Sequence, residues 1–146
     1  MTILKELYQE IIIDHNRNPR HFQVLDPCDC KAVGHNQLCG DKLVIYARLA
    51  GDKIAEVSFV GDGCAISRAS ASLMTDIARG MTLEEFNALY QRFHHSVTSQ
   101  DPIPDDLGKI EVLTGVREYP SRVKCATLAW QTLNEALKGH DHSHTE

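Results

Sequence analysis

At 146 residues the chain has a length at which one domain buries about 70% of its unfolded surface in a single core, and 42% apolar with 24% charged residues is ordinary for a globular protein. The net charge of −5 argues against a nucleic-acid binder that works through phosphate contacts, and favours a partner with a basic surface. The start, Met1-Thr2-Ile3-Leu4-Lys5-Glu6-Leu7, has no basic stretch leading into an unbroken apolar one, and no apolar run nears the roughly 18 residues of a membrane span. A cytoplasmic protein with neither nucleic-acid nor membrane partners is therefore expected. Five cysteines, an odd number in a reducing compartment, read as metal or thiol chemistry rather than a disulfide framework.

In chain order, Ile3, Leu4, Leu7, Tyr8, Ile11 and Ile12 recur at helical spacing up to Asn16-Arg17-Asn18-Pro19, which predicts an amphipathic first helix packed by one face. Residues 43–49 are β-rich, Ala50-Gly51-Asp52-Lys53 reads as a turn, and Ile54, Val57, Phe59 and Val60 continue as a second strand, so an antiparallel hairpin is predicted. After Gly61-Asp62-Gly63 the small residues following Cys64 suit a helix lying close to the sheet and ending at Gly80. Thr82-Leu83-Glu84-Glu85 is a capping box for a helix to about residue 95. Pro102 and Pro104 mark a loop over 99–106, followed by a short helix over about 107–116. Pro120 suits a helix's first turn, and Val123, Ala126, Trp130, Leu133 and Leu137 trace one face of a last helix ending at Gly139. A helix, a hairpin and then helices indicate an α+β fold in which a small antiparallel sheet is packed on one side by several helices. One domain over 1–139 is expected, with 140–146 a disordered tail. The tail has no apolar stripe, so it reads as solvated, the alternative being accessory metal capture by His140, His142 and His144.

Three cysteines far apart in sequence carry the chemistry: Cys39-Gly40-Asp41, Gly63-Cys64-Ala65 and Lys124-Cys125-Ala126. Zinc and iron–sulfur clusters both select thiolate sulfur, and tetrahedral zinc takes four donors, which three cysteines and Asp41 would supply. In an extended chain residues two apart share a side, so Cys39 and Asp41 are expected to reach one ion. Cys64 follows Gly-Asp-Gly at a strand-to-helix junction, where the positive end of a helix favours the thiolate and lowers its pKa. Three thiolates and a carboxylate around a dication leave surplus negative charge, for which Arg122 and Lys124 are nearby cations. Against this, each cysteine also reads as a small buried hydrophobe, since no tight C-x₂-C pair is present. Cys28 and Cys30 read as an incidental loop pair, the alternative being metal binding or sulfur relay. Asp14-His15, at the end of the first helix, reads as orienting or capping rather than catalytic, and His94-His95 as surface. Gly61-Asp62-Gly63 lacks the Lys-Ser/Thr of a phosphate loop.

Together Asp14-His15, Asn18-Pro19-Arg20, Cys39-Gly40-Asp41, Gly61-Asp62-Gly63-Cys64-Ala65-Ile66-Ser67 and Arg122-Val123-Lys124-Cys125-Ala126 resemble the IscU/SufU (NifU N-terminal-like) family of iron–sulfur assembly proteins, over most of the chain. The scaffold branch of that family places His before its last cysteine and builds a [2Fe–2S] cluster. Lys124 in that position, Arg122, and an insertion matching 99–118 look like the SufU branch. The resemblance implies a SufE/IscU-like fold and a Zn²⁺ site made by Cys39, Asp41, Cys64 and Cys125. It implies a zinc-dependent sulfurtransferase whose Cys39 takes persulfide sulfur once a histidine of a SufS-like cysteine desulfurase replaces it on the metal, with Arg122 assisting as a charge partner. Downstream partners would be a Suf scaffold or apo iron–sulfur proteins. The alternatives that remain are a scaffold for a transient [2Fe–2S] cluster and a purely structural zinc module.

Overall fold

The computed structural model describes residues 2–37, 40–139 and 142–144 of the chain. The elements are α1 (Thr2–Arg17), β1 (Cys30–Asn36), β2 (Asp41–Ala50), β3 (Lys53–Asp62), α2 (Ala65–Ala78), α3 (Leu83–Thr98), a 3₁₀ helix (Gly108–Glu118), α4 (Pro120–Leu137) and β4 (His142–His144). The sheet order is β3-β2-β1-β4. The first three strands are antiparallel, so the α+β expectation holds, with α2 and α4 packed on the sheet and the remaining helices against them.

The hairpin is β2 and β3, longer at both ends than the apolar stretches indicated, and it turns at Gly51 (φ 65°). Strand β1 escaped the sequence reading for a local reason. Its buried positions are Ala32, Gly34 and Asn36, so no row of large apolar side chains announces a strand. Gly34 has no side chain because α4 passes close behind it: a Cβ there would collide with Thr132 Oγ1 and lie 3.1 Å from Leu128 Cδ1.

Trp130 fixes α4 against its neighbours. Its indole stacks on Phe86 (centroids 5.6 Å apart, planes 2° apart) and tilts against Phe93 at 5.4 Å. The indole N–H donates to Ser70 Oγ (3.1 Å), and that hydroxyl donates to the Ala126 carbonyl (2.5 Å), so α2, α3 and α4 meet at one satisfied polar point inside an apolar core. The capping box at Thr82 forms as read, with both reciprocal bonds to Glu85 present. Residues 108–118 wind as a 3₁₀ rather than an α-helix. Ile110, Leu113 and Val116 are all buried, and a spacing of three matches three residues per turn.

Along β3, Phe22 bridges to Phe59, and the Phe59 N–H donates to the His21 carbonyl (3.1 Å). On its other side β1 pairs with His142–His144, which runs parallel to it with Val33 opposite His142 and His35 opposite His144. An edge strand offers unpaired backbone groups whatever the side chains of its partner, so the polar composition did not prevent pairing. His140 lies outside the described residues, and no helix among those described is long and apolar enough to cross a membrane.

Asp14-His15 acts structurally. Asp14 pairs with Arg20 (2.6 Å), while buried His15 meets Ser72 Oγ on α2 (2.7 Å), which also accepts the Arg20 N–H (2.8 Å). Burial first and Arg20 second push the His15 pKa below its ordinary 6.5, with Lys109 adding and Asp76 and Asp14 opposing. The folded state thus favours neutral imidazole, and the unfolded chain binds the extra proton. His15 contributes stability that is fully present above the unfolded pKa and is lost as pH falls below it. Between about pH 7 and pH 5 the thermal midpoint of the wild type should fall further than that of His15→Asn, which keeps a polar contact to Ser72 without a titrating ring. Parallel curves would show that His15 is not the group responsible.

Candidate metal centre

Asp41 opens β2, Cys64 caps α2 and Cys125 lies in the second turn of α4. One ligand atom from each lies within 4.8 Å of the other two. Donors about 2.0–2.3 Å from a tetrahedral zinc sit roughly 3.3–3.8 Å apart, so closing on an ion asks only for small side-chain adjustments. Two sulfurs and a carboxylate form a donor set that fits zinc, and thiolates equally suit an iron–sulfur cluster.

Local folding positions each donor. The Asp41 carboxylate is wholly buried, and its Oδ1 accepts the Cys64 N–H (2.8 Å) while its Oδ2 accepts the Asn36 side-chain N–H (3.2 Å). The same Asn36 nitrogen lies 3.6 Å from Cys125 Sγ. Cys64 Sγ accepts the Ser67 N–H (3.4 Å) at the start of α2. The approach is so close that a Cβ on Gly63 would sit 2.9 Å from both Asp41 Oδ1 and Ser67 Oγ. Gly61 (φ 136°) is constrained too, since a Cβ there would strike the Lys42 carbonyl. Asn36 Oδ1 and Ser67 Oγ are buried without a hydrogen-bond partner among the described residues.

The Cys64 thiol is lowered to about 6. A hydrogen bond from Cys125 is the main cause, burial opposes it, and backbone N–H groups of Ser67 and Ile66 add to it. The direction matches the sequence reading, although the second thiol rather than the helix end contributes most. Cys30 behaves oppositely: burial, then the charges of Asp29 and Cys28, push its thiol up.

Cys39 lies outside the described residues, as does Leu38. Its neighbour Gly40 has φ 73°, so the chain enters Asp41 through a left-handed turn and not in the extended form that the sequence argument used. Arg122 is exposed in the first turn of α4, one turn before Cys125, and Lys124 is half-buried. Cys28 and Cys30 are not brought to the centre. Cys30 starts β1 and Asn36 ends it, about 20 Å apart by strand rise. Cys30 instead lines a cavity of about 250 Å³ with Asp29, Lys31, Ala136, Leu137 and Gly139. His95 pairs with Asp101 at the surface (2.7 Å). Sequence reasoning missed Asn36. Its one signal was a poor strand former a few residues ahead of Cys-Gly-Asp.

Comparison with known proteins agrees with this geometry. Residues 7–145 match the NifU-like N-terminal domain. A protein of Streptococcus pyogenes serotype M1 named iron–sulfur cluster assembly scaffold protein IscU is 40% identical over 139 residues, covering 94% of this chain and 87% of its own. One of Bacillus subtilis named zinc-dependent sulfurtransferase SufU is 38% identical over 136 residues, covering 92% and 91%. A crystal structure from Fervidobacterium islandicum AW-1, described as a scaffold protein for the SUF system, superposes with a TM-score of 0.83 at 34% identity, covering 88% of this chain and 94% of that one. With the fold, the converging donors and these relatives in agreement, the chain belongs to the NifU-like N-terminal domain family of iron–sulfur cluster assembly scaffold proteins.

Proposed function

We propose that the chain is a zinc-dependent sulfurtransferase that accepts persulfide sulfur from a SufS-type cysteine desulfurase for iron–sulfur cluster assembly. The observation that carries this reading is the convergence of Asp41, Cys64 and Cys125 from three separate elements. Cys39 completes the proposed ligand set. The similarity to the Bacillus subtilis protein named a zinc-dependent sulfurtransferase supports the choice of metal and activity, as does Lys124 where the scaffold branch has histidine. Zinc bound by these residues would keep their thiolates deprotonated while masking their reactivity.

The chain's own residues then have distinct tasks. The Cys39 thiolate attacks the terminal sulfur of the desulfurase's cysteine persulfide; that S–S bond breaks, the desulfurase cysteine leaves as thiolate, and Cys39 becomes the persulfide, with no net redox change. Asp41, Cys64 and Cys125 are the holding ligands. Arg122, one turn from Cys125, offsets the surplus negative charge and meets the incoming anionic sulfur.

A scaffold carrying a transient [2Fe–2S] cluster as cargo is the second reading, favoured by the Streptococcus relative's name. Anaerobic reconstitution separates the two: a stable cluster that passes to an apo-acceptor supports the scaffold.

With zinc bound, the chain should raise cysteine-to-alanine turnover by the cognate desulfurase, and Cys39→Ala should return it to the basal rate. Equal rates with wild type and Cys39→Ala would refute sulfur transfer. Arg122→Ala should lower the stimulation while zinc content stays at the wild-type value. For Asp41→Ala, zinc release into a chelator should accelerate more than the domain loses stability; the reverse order would mark a structural site. Gly63→Ala should push the Asp41 carboxylate aside, costing about 1–3 kcal/mol by overpacking and weakening zinc retention together.

A further inference from the structure

We propose that Asn36 is a positioning residue for the metal centre, one side-chain nitrogen presetting the separation of Asp41 and Cys125. This rests on the proposal that those two residues are metal donors.

Asn36 is wholly buried and ends β1, directly paired with Asp41 at the start of β2. Its Nδ2 donates to Asp41 Oδ2 at 3.2 Å and reaches Cys125 Sγ at 3.6 Å, so a single group spans a strand residue and a helix residue. Asparagine is a poor strand former, and its Oδ1 is buried without a partner among the described residues. An apolar residue of similar shape would avoid that desolvation cost. The cost is understandable if the N–H group is what the position requires. Three thiolates and a carboxylate around a dication leave negative charge to be offset in a buried place, and N–H donors aimed at oxygen and sulfur offset it without adding a charge. Such outer partners fix ligand orientation, and their loss costs about 10–100-fold in metal affinity. Asn36 thereby holds two donors from different elements at a fixed spacing before any metal arrives. The Cys64 N–H does the same for the other oxygen of Asp41.

The test compares wild type, Asn36→Leu and Asn36→Asp. Zn²⁺ affinity is read by competition with a chromophoric chelator, the thiolate absorption of the Co²⁺ form is recorded, and the metal-free chains are melted alongside. We expect affinity about 10–100-fold lower in both variants. The Co²⁺ thiolate bands should be altered, while the metal-free Asn36→Leu chain should lose only the modest stability that one hydrogen bond to buried Asp41 supplies. Asn36→Asp keeps the shape while replacing the donor by an acceptor, so it answers the question if the leucine variant does not fold. Wild-type affinity in whichever variant folds, or a lowered melting point with unchanged affinity and Co²⁺ spectrum, overturns the proposal. If Asp41→Ala and Cys125→Ser leave wild-type Zn²⁺ affinity untouched, the metal assignment falls and this inference with it, a failure visible without any Asn36 variant.

Discussion

A buried carboxylate organises this end of the molecule. Asp41 has no exposed surface, and an ionised acid in that setting is costly unless its oxygens are hydrogen-bonded. Its two oxygens accept from different elements, one from the backbone N–H that begins α2 and the other from Asn36 at the end of β1. Satisfying that one side chain therefore joins β1, β2 and α2, and it brings Cys64 to its place as a consequence. Removing the acid would release both neighbours at once.

The close approach this requires explains residues that otherwise have no task. Gly63 and Gly61 leave space where any side chain would strike Asp41, Ser67 or the backbone of β2. Gly34 does the same on β1, letting α4 lie against the sheet so that Cys125 meets the group from behind. Trp130, one and a half turns further along α4, anchors that helix against Phe86, Phe93 and Ser70. Core packing thus sets the position of a sulfur that the core does not itself use.

The donor chemistry is in keeping with the family to which the chain belongs. Two sulfurs and one oxygen bind a divalent ion less permanently than four sulfurs, because a carboxylate is the more exchangeable donor. One thiol already favours its ionised form and is hydrogen-bonded to the other. Two thiols and a carboxylate brought together by rigid strand and helix ends suit a member of an iron–sulfur cluster assembly family.

Much of this was legible in the residues alone. The hairpin, the capping box, the last helix and the order of the three cysteine motifs follow from local pattern, because period, caps and turn chemistry act over a few residues. Strand β1 was not legible, since its inward positions Ala32, Gly34 and Asn36 include no large apolar side chain and the bare Gly34 answers a helix nearly a hundred residues away. The pairing of His142–His144 with β1 was not legible either, because a backbone edge recruits a partner without regard to side-chain polarity. The contacts of Asn36 with Asp41 and Cys125, and of the Ser67 N–H with Cys64, were equally hidden. The sequence determined which atoms were available to bind a metal; only the tertiary structure decided that Asp41, Cys64 and Cys125 meet and what holds them, because hydrogen bonds between distant elements leave no trace in local spacing.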